Sequence, residues 1–435
     1  MTDDRMVAWE GLPYGPWEDA VLPKRPPSEE IRAERDLPRS VRPIDDAAVT
    51  QQPVFDPALA GYARALRPSE PAFADPQVAA RWLAARREAL NTVLSAVARS
   101  AWAEHLVLRG SVLLRAWYGE EAREPGDLDF VVRPADWLLE DERTDRMIGE
   151  LAAGAEQLSE QLAEKLSGQG GRVRLHANRA VCDEIWTYGR VPGRRLVLPW
   201  TAPGVPEGTV QLDFVFTEHL PAEPQRCELP GVDGELVTAT PELSLAWKIL
   251  WLISDNHPQG KDLYDAVLLA RSADVPYELL RDVFLQADES VARWPVVPDQ
   301  IEELDVAWDE FAKDHPGFAE PVEEYPAQLL AGLAATFAGR SEYALRALWL
   351  APLVEELREV LAREGMEAVQ RHLAERHMPT GDSLVVTCEL LGGDLEQARR
   401  AVTAHFGGES DWRAALVREA FDRFAAECGP GGGEA

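Results

Sequence analysis

Leu108-Arg-Gly-Ser-Val-Leu-Leu-Arg115 and, after a short gap, Asp127-Leu-Asp-Phe-Val-Val132 decide how this chain is read. The apolar run Leu106-Val107-Leu108 predicts a short strand, Gly110-Ser111 a turn, and Val112 to Tyr118 a short helix. Residues 127–132 predict a second strand. Residues i and i+2 of a strand share a face, so Asp127 and Asp129 project together while Leu128 and Phe130 point into the core. Two carboxylates side by side raise each other's pKa unless a cation neutralises them. A hard divalent ion with oxygen ligands, Mg²⁺ above all, answers that need and bridges to substrate phosphates. Glycine lets the backbone come close to a phosphate, and the free N–H groups at a helix start, with the Ser111 hydroxyl, suit an anion.

Outward from that centre, Val78, Trp82, Leu83, Leu90, Val93, Leu94 and Val97 recur at helical spacing and predict a helix from Pro76. An amphipathic helix is expected over about 141–167, then a β-rich stretch over 172–217 ending in Val210-Gln-Leu-Asp-Phe-Val-Phe216. An aspartate inside that apolar strand, Asp213, is costly to bury unless ligated or bonded, so it is the third candidate metal carboxylate. After about 236 the strands stop. Helices are expected over 241–254, 260–271, 276–286, 325–338, 341–363, 365–377, 394–406 and 411–427, with an irregular joint over 287–322 and a frayed tail from Gly429. Nine prolines from Pro23 to Pro71 predict an extended arm rather than a domain, which Trp9, Tyr14 and Trp17 could dock. The fold class is therefore α+β: an extended arm (1–74), a mixed-sheet domain with flanking helices (75–235) and a helical domain (236–435).

The chain has 435 residues and a formal charge of −31, which argues against a chain-wide electrostatic grip on nucleic acid but leaves a local basic groove open. Arg172, Arg174, Arg179, Arg190, Arg194 and Arg195, with His176 and Tyr188, are such a local excess. They could grip RNA phosphates or an NTP tail, or simply pair with surface acids. Four scattered cysteines give neither a zinc site nor a disulfide framework and suit a reducing cytoplasm. No signal peptide is expected, and no apolar run reaches the ~20 residues needed to span a bilayer.

The ordered set resembles polymerase β-type nucleotidyltransferases, and most of all the AbiEii-type toxins of type IV toxin–antitoxin systems. Pro241-Glu-Leu-Ser-Leu-Ala-Trp-Lys248 and Lys261-Asp-Leu-Tyr-Asp265 follow the third carboxylate in the order that family shows. The resemblance implies that Gly110, Ser111 and Arg115 serve the nucleotide and that Asp127, Asp129 and Asp213 bind metal. It implies that Lys248 reaches the triphosphate, and that Lys261, Asp262 and Asp265 serve nucleotide binding or acceptor activation. It further implies Mg²⁺ as cofactor, an NTP as substrate, tRNA or another growth-essential molecule as acceptor, and an antitoxin as protein partner. The chain departs from the family pattern at Arg109 and Pro125, and at Asp255 in place of an arginine. Those departures keep two alternatives open, a non-catalytic binding protein on this scaffold and a transferase acting on a small molecule such as an antibiotic.

Overall fold

The computed structural model describes the chain apart from residues 1–7, 16, 18–19, 166–172, 188–190, 288–291, 293, 316, 318–321, 407–411 and 429–435. It forms two compact units, one of Met1–Ala273 with Leu304–Leu329 and one of Asp274–Glu303 with Leu330–Ala435. The expected boundaries at 74/75 and 235/236 do not coincide with this division.

The N-terminal segment is not an extended arm. It carries helix α1 (Glu29–Arg35) and strands β1 (Val49–Thr50), β2 (Pro53–Phe55), β3 (Leu66–Pro68) and β4 (Ala72–Phe73), with β1 paired to β4 and β2 to β3. Ser28 caps α1 by accepting from the Ile31 amide. Trp9, Leu12, Trp17, Leu22, Leu37, Val41 and Leu66 close into a core of their own, while Tyr14 stays exposed under the Arg64 guanidinium. Proline density misleads because the prolines fit between and at the ends of short elements: Pro53 opens β2, Pro68 closes β3 and Pro57 opens a helical turn where no donor is needed.

Helix α2 (Pro76–Arg99) begins as its sequence demands, with Asp75 accepting from the Gln77 amide and Pro76 in the first turn. It buries Trp82, Leu90, Val93, Leu94 and Val97. Strand β5 (Leu106–Arg109) is buried throughout, the turn residue Gly110 follows, and helix α3 (Ser111–Tyr118) starts at once. Gly110 has φ +88°, a backbone that glycine alone adopts without strain, and a Cβ there would stand 2.5 Å from Asp129 Oδ2. Strand β6 (Asp127–Val132), helix α4 (Glu142–Lys165) and strands β7 (Arg174–Leu175), β8 (Val181–Thr187), β9 (Val191–Thr201), β10 (Gly208–Val215), β11 (Gln225–Glu228) and β12 (Glu235–Thr238) complete an eight-stranded mixed sheet. Its order is β11-β12-β5-β6-β10-β9, with β7 and β8 both pairing β9. The β6/β10 pair is parallel, in a register that sets Asp213 opposite Asp129 and Gln211 opposite Asp127. Phe130 and Phe214 stack at 5.5 Å on the other face. Each such buried apolar side chain is worth about 1.5–3 kcal/mol.

Helices α5 (Pro241–Ser254), α6 (Gly260–Ala270) and α9 (Trp308–Asp314) also belong to this first unit rather than to a separate helical domain. The second unit is helical among its described residues. It contains α7 (Tyr277–Ala287), α8 (Pro298–Glu302), α11 (Ala334–Phe337), α12 (Glu342–Glu364), α13 (Met366–Glu375), α14 (Thr380–Leu390), α15 (Leu395–His405) and α16 (Trp412–Cys428), and α10 (Tyr325–Gly332) runs into it. Trp349 packs on Tyr277 and Phe284 and donates to the Ala292 carbonyl at 2.7 Å. The expected irregular joint over 287–322 contains α8 and α9, and α14 has no counterpart among the expected helices. Pro298 starts α8 instead of breaking it, because a first-turn amide needs no partner. The tail from Gly429 lies outside the described residues.

Candidate active site

Asp127 and Asp129 share the face of β6 that looks away from Phe130, as alternation requires. Burial, then Asp127, then Asp213 push the Asp129 carboxyl up to about 7, with Arg109 and Lys261 opposing. This is uncompensated negative charge, the environment a divalent cation relieves. Beside it, Ser111 is buried at the first position of α3 and its Oγ has no hydrogen-bond partner among the described residues.

Asp213 is brought next to Asp129, but its oxygens are occupied. Arg195 donates Nε to Oδ1 at 2.9 Å and Nη2 to Oδ2 at 2.8 Å, and Gln211 adds a longer bond at 3.3 Å. The remaining Arg195 amino group donates to Asp56 Oδ2 at 2.6 Å, so the N-terminal segment is tied into the site. Among the described residues no group of three or more His, Cys, Asp or Glu side chains is arranged to hold a metal. Asp127 and Asp129 are thus the carboxylates left that would hold a cation, while Asp213 is a neighbour held by Arg195.

Lys248, on α5, is buried and bonds Asp262 at 2.6 Å and Asp265 at 2.9 Å, both one turn apart on α6. Arg123 adds a two-pronged pair to Asp265 at 3.1 and 3.0 Å. Burial alone would raise the Asp265 carboxyl; Arg123 and Lys248 more than reverse this and hold it at about 2. Two cations and two carboxylates thus close on one another, and the Lys248 ammonium, expected at the triphosphate, is directed into this network. Lys261 is the cation of the helix that lines the cavity, without a carboxylate within salt-bridge reach among the described residues. Arg115, expected at the nucleotide, donates to the Ala122 carbonyl at 3.0 Å and pairs with Glu124 at 3.2 Å.

Arg109 lies opposite Asp129 in the β5/β6 pair, where its charge acts on that carboxylate, and its guanidinium is engaged by other partners. It donates to both Glu218 oxygens and stacks over Trp247 and Trp251. Of the arginine group between 172 and 195, Arg172 and Arg190 lie outside the described residues, as does Tyr188. Arg174 is exposed, Arg194 faces Glu184, Arg195 enters the site and Arg179 lines the cavity. The described members of the group, Arg174, Arg179, Arg194 and Arg195, form no single basic strip.

The cavity has a volume of about 540 Å³ and reaches from Asp127, Arg123 and Lys261 to a wall made by residues 26–71. Sequence reasoning missed that wall and the partners it supplies, Asp56 for Arg195, Arg67 for Asp314 and Glu70 for Arg86. No local pattern announces pairs such as Asp56–Arg195 and Arg67–Asp314, which lie 139 and 247 residues apart, and Glu70–Arg86, 16 apart, joins two different elements. His315 also lines the cavity, and burial, then the Arg123 charge, lower its pKa to about 4, which keeps it neutral. No helix among the described residues is long and apolar enough to cross a membrane.

A comparison with curated proteins returned no match. The family model described as nucleotidyl transferase AbiEii toxin, type IV TA system, matches residues 92–336, from the middle of α2 through the sheet and α5, α6 and α9. By that match over more than half of its length, the chain belongs to the AbiEii family of nucleotidyltransferase toxins.

Proposed function

We propose that this chain transfers a nucleoside monophosphate from an NTP to an acceptor hydroxyl, with Mg²⁺ held by Asp127 and Asp129. The reading is carried by one juxtaposition: a carboxylate pair with unneutralised charge beside a Gly-Ser turn whose buried Ser111 hydroxyl has no partner among the described residues. Bound there, Mg²⁺ would offset the charge of the triphosphate and of the leaving pyrophosphate. The chain's own groups do the rest. Ser111 Oγ–H and the first amides of α3 donate to phosphate oxygens, and Lys261 supplies the mobile positive charge that Lys248 does not. The Lys248–Asp262–Asp265–Arg123 network fixes α6 so that Lys261 faces the cavity. The acceptor oxygen bonds to the α-phosphorus, the bond to the bridging oxygen breaks, pyrophosphate leaves and a proton is released.

Family membership supports tRNA or another growth-essential molecule as acceptor, an antitoxin as partner and the cytoplasm as compartment. Cys182, Cys227 and Cys388 form no disulfide among the described residues, which suits that compartment. Incubation with each labelled NTP, Mg²⁺ and total RNA tests the reading. Asp127→Ala and Asp129→Ala are expected to lower transfer by about 10²-fold or more while melting as folded proteins. Full activity in both variants would refute the carboxylate role.

A further inference from the structure

Most arginines lining the cavity have a carboxylate of their own: Arg67 with Asp314, Arg86 with Glu70, Arg123 with Asp265 and Arg179 with Glu207. Arg42 has none among the described residues, although acids outnumber Lys and Arg by 75 to 44 in this chain. Its Nη1 donates to the Arg179 carbonyl at 2.9 Å, and burial, then the Arg179 charge, lower its pKa. Two residues before it, Ser40 also lines the cavity, and its Oγ is buried without a hydrogen-bond partner among the described residues. Between them Val41 is fully buried among Trp9, Trp17 and Leu22. The wall is fixed, because Asp183 accepts from the Arg39 amide at 2.9 Å and the Ser40 amide at 2.6 Å.

Position along β10 gives the scale. Gln211 is paired with Asp127, and Glu207, the partner of Arg179, lies four residues earlier. At about 3.3 Å per residue, Glu207 lies roughly 13 Å along the chain from the residue paired with Asp127, and Arg179 and Arg42 gather at that end of the cavity. That is too far for the α-phosphate reacting at Asp127, and Ser111 and Lys261 already serve the triphosphate.

We propose that Ser40, Arg42 and Arg179 form a phosphate-binding subsite that holds the acceptor, with its wall supplied by the N-terminal segment outside the family match. Guanidinium forks and a hydroxyl donor match the tetrahedral oxyanion of a phosphate mono- or diester. The name acceptor rests on the transferase reading; the phosphate site does not.

The test uses the full chain, without NTP or divalent ions, and three probes: inorganic phosphate, adenosine 5′-monophosphate and a short single-stranded RNA. Wild type is expected to bind at least one probe saturably. Arg42→Ala should bind it about tenfold or more weakly, Ser40→Ala a few-fold more weakly, and Arg42→Lys, which keeps the charge but loses the fork, between wild type and Arg42→Ala. Ser40→Ala keeps its amide on Asp183, so it reports on the subsite even if Arg42→Ala fails to fold. Binding of the small probes alone assigns a phosphorylated small molecule, and tighter binding of RNA assigns a polynucleotide phosphodiester. Wild-type affinity in both Arg42→Ala and Ser40→Ala, or no binding of any probe by wild type, overturns the subsite. Phosphate binding in a wild type that transfers no nucleotide would keep the subsite and sink the transferase reading instead.

Discussion

Asp129 stands between two other carboxylates, and burial together with Asp127 and Asp213 pushes its carboxyl up to about 7. In the unfolded chain an aspartate titrates near 3.9, so the folded protein binds this proton more tightly. A raised carboxyl costs stability as pH rises, with the cost growing from about pH 4 and complete above about pH 7. A divalent cation on the pair removes that cost. Mg²⁺ should therefore raise the melting temperature more at pH 8 than at pH 5.5, as read by calorimetry, and Asp129→Asn should flatten the difference. An equal Mg²⁺ effect at both pH values would count against a shared cation. The pair itself was legible in the sequence, because strand alternation sets Asp127 and Asp129 on one face wherever the strand goes. That Arg195 would occupy Asp213 was not legible, since adjacency of β9 and β10 is a property of the sheet.

At the scale of elements, α5 and α6 are held by opposite charges in a dry interior. Lys248 and Arg123 share Asp265, which is fully buried. Removing one member of such a network leaves its partners charged and unpaired, at a cost of about 3–5 kcal/mol. Asp265→Ala should therefore lower unfolding free energy by that order in denaturant titration, with little effect from Arg115→Ala as a comparison. The sign with pH is also fixed. A carboxyl held at about 2 against ~3.9 unfolded stabilises the fold above pH 4, and that contribution fades as pH falls toward 2. The wild type should thus lose part of its advantage over Asp265→Asn between pH 4 and 2. The spacing Lys-Asp-x-x-Asp showed that Asp262 and Asp265 lie on one helix face. It could not show that Lys248, one helix earlier, would turn toward them, because periodicity tells which side is buried but not what is met there.

For the whole molecule the decisive misreading concerns residues 8–74. Local composition there predicts an arm, since proline blocks helices and the apolar residues are too sparse to show a period. Sparse residues still make a core when tertiary contacts collect them, as Trp9, Trp17, Val41 and Leu66 do. The segment is also fastened by polar contacts at several points. Asp183 accepts two amides and the Tyr62 hydroxyl, Asp56 pairs with Arg195, and Asp314 accepts from Arg67 and from the Glu70 amide. A chain beginning at residue 75 would strip buried partners from Arg195, Arg86, Asp183 and Asp314 and uncover Trp82, which packs on Phe73. Each orphaned buried polar group costs about 1–3 kcal/mol, so four at once cost about 4–12 kcal/mol, comparable to the 5–15 kcal/mol that holds a typical domain together. Such a truncation, though it retains the whole family-matched region, is expected to bind a hydrophobic dye, lose near-ultraviolet dichroism and melt without cooperativity. A cooperative transition within a few degrees of the full chain would show instead that the segment is an accessory wall and that the sheet stands without it.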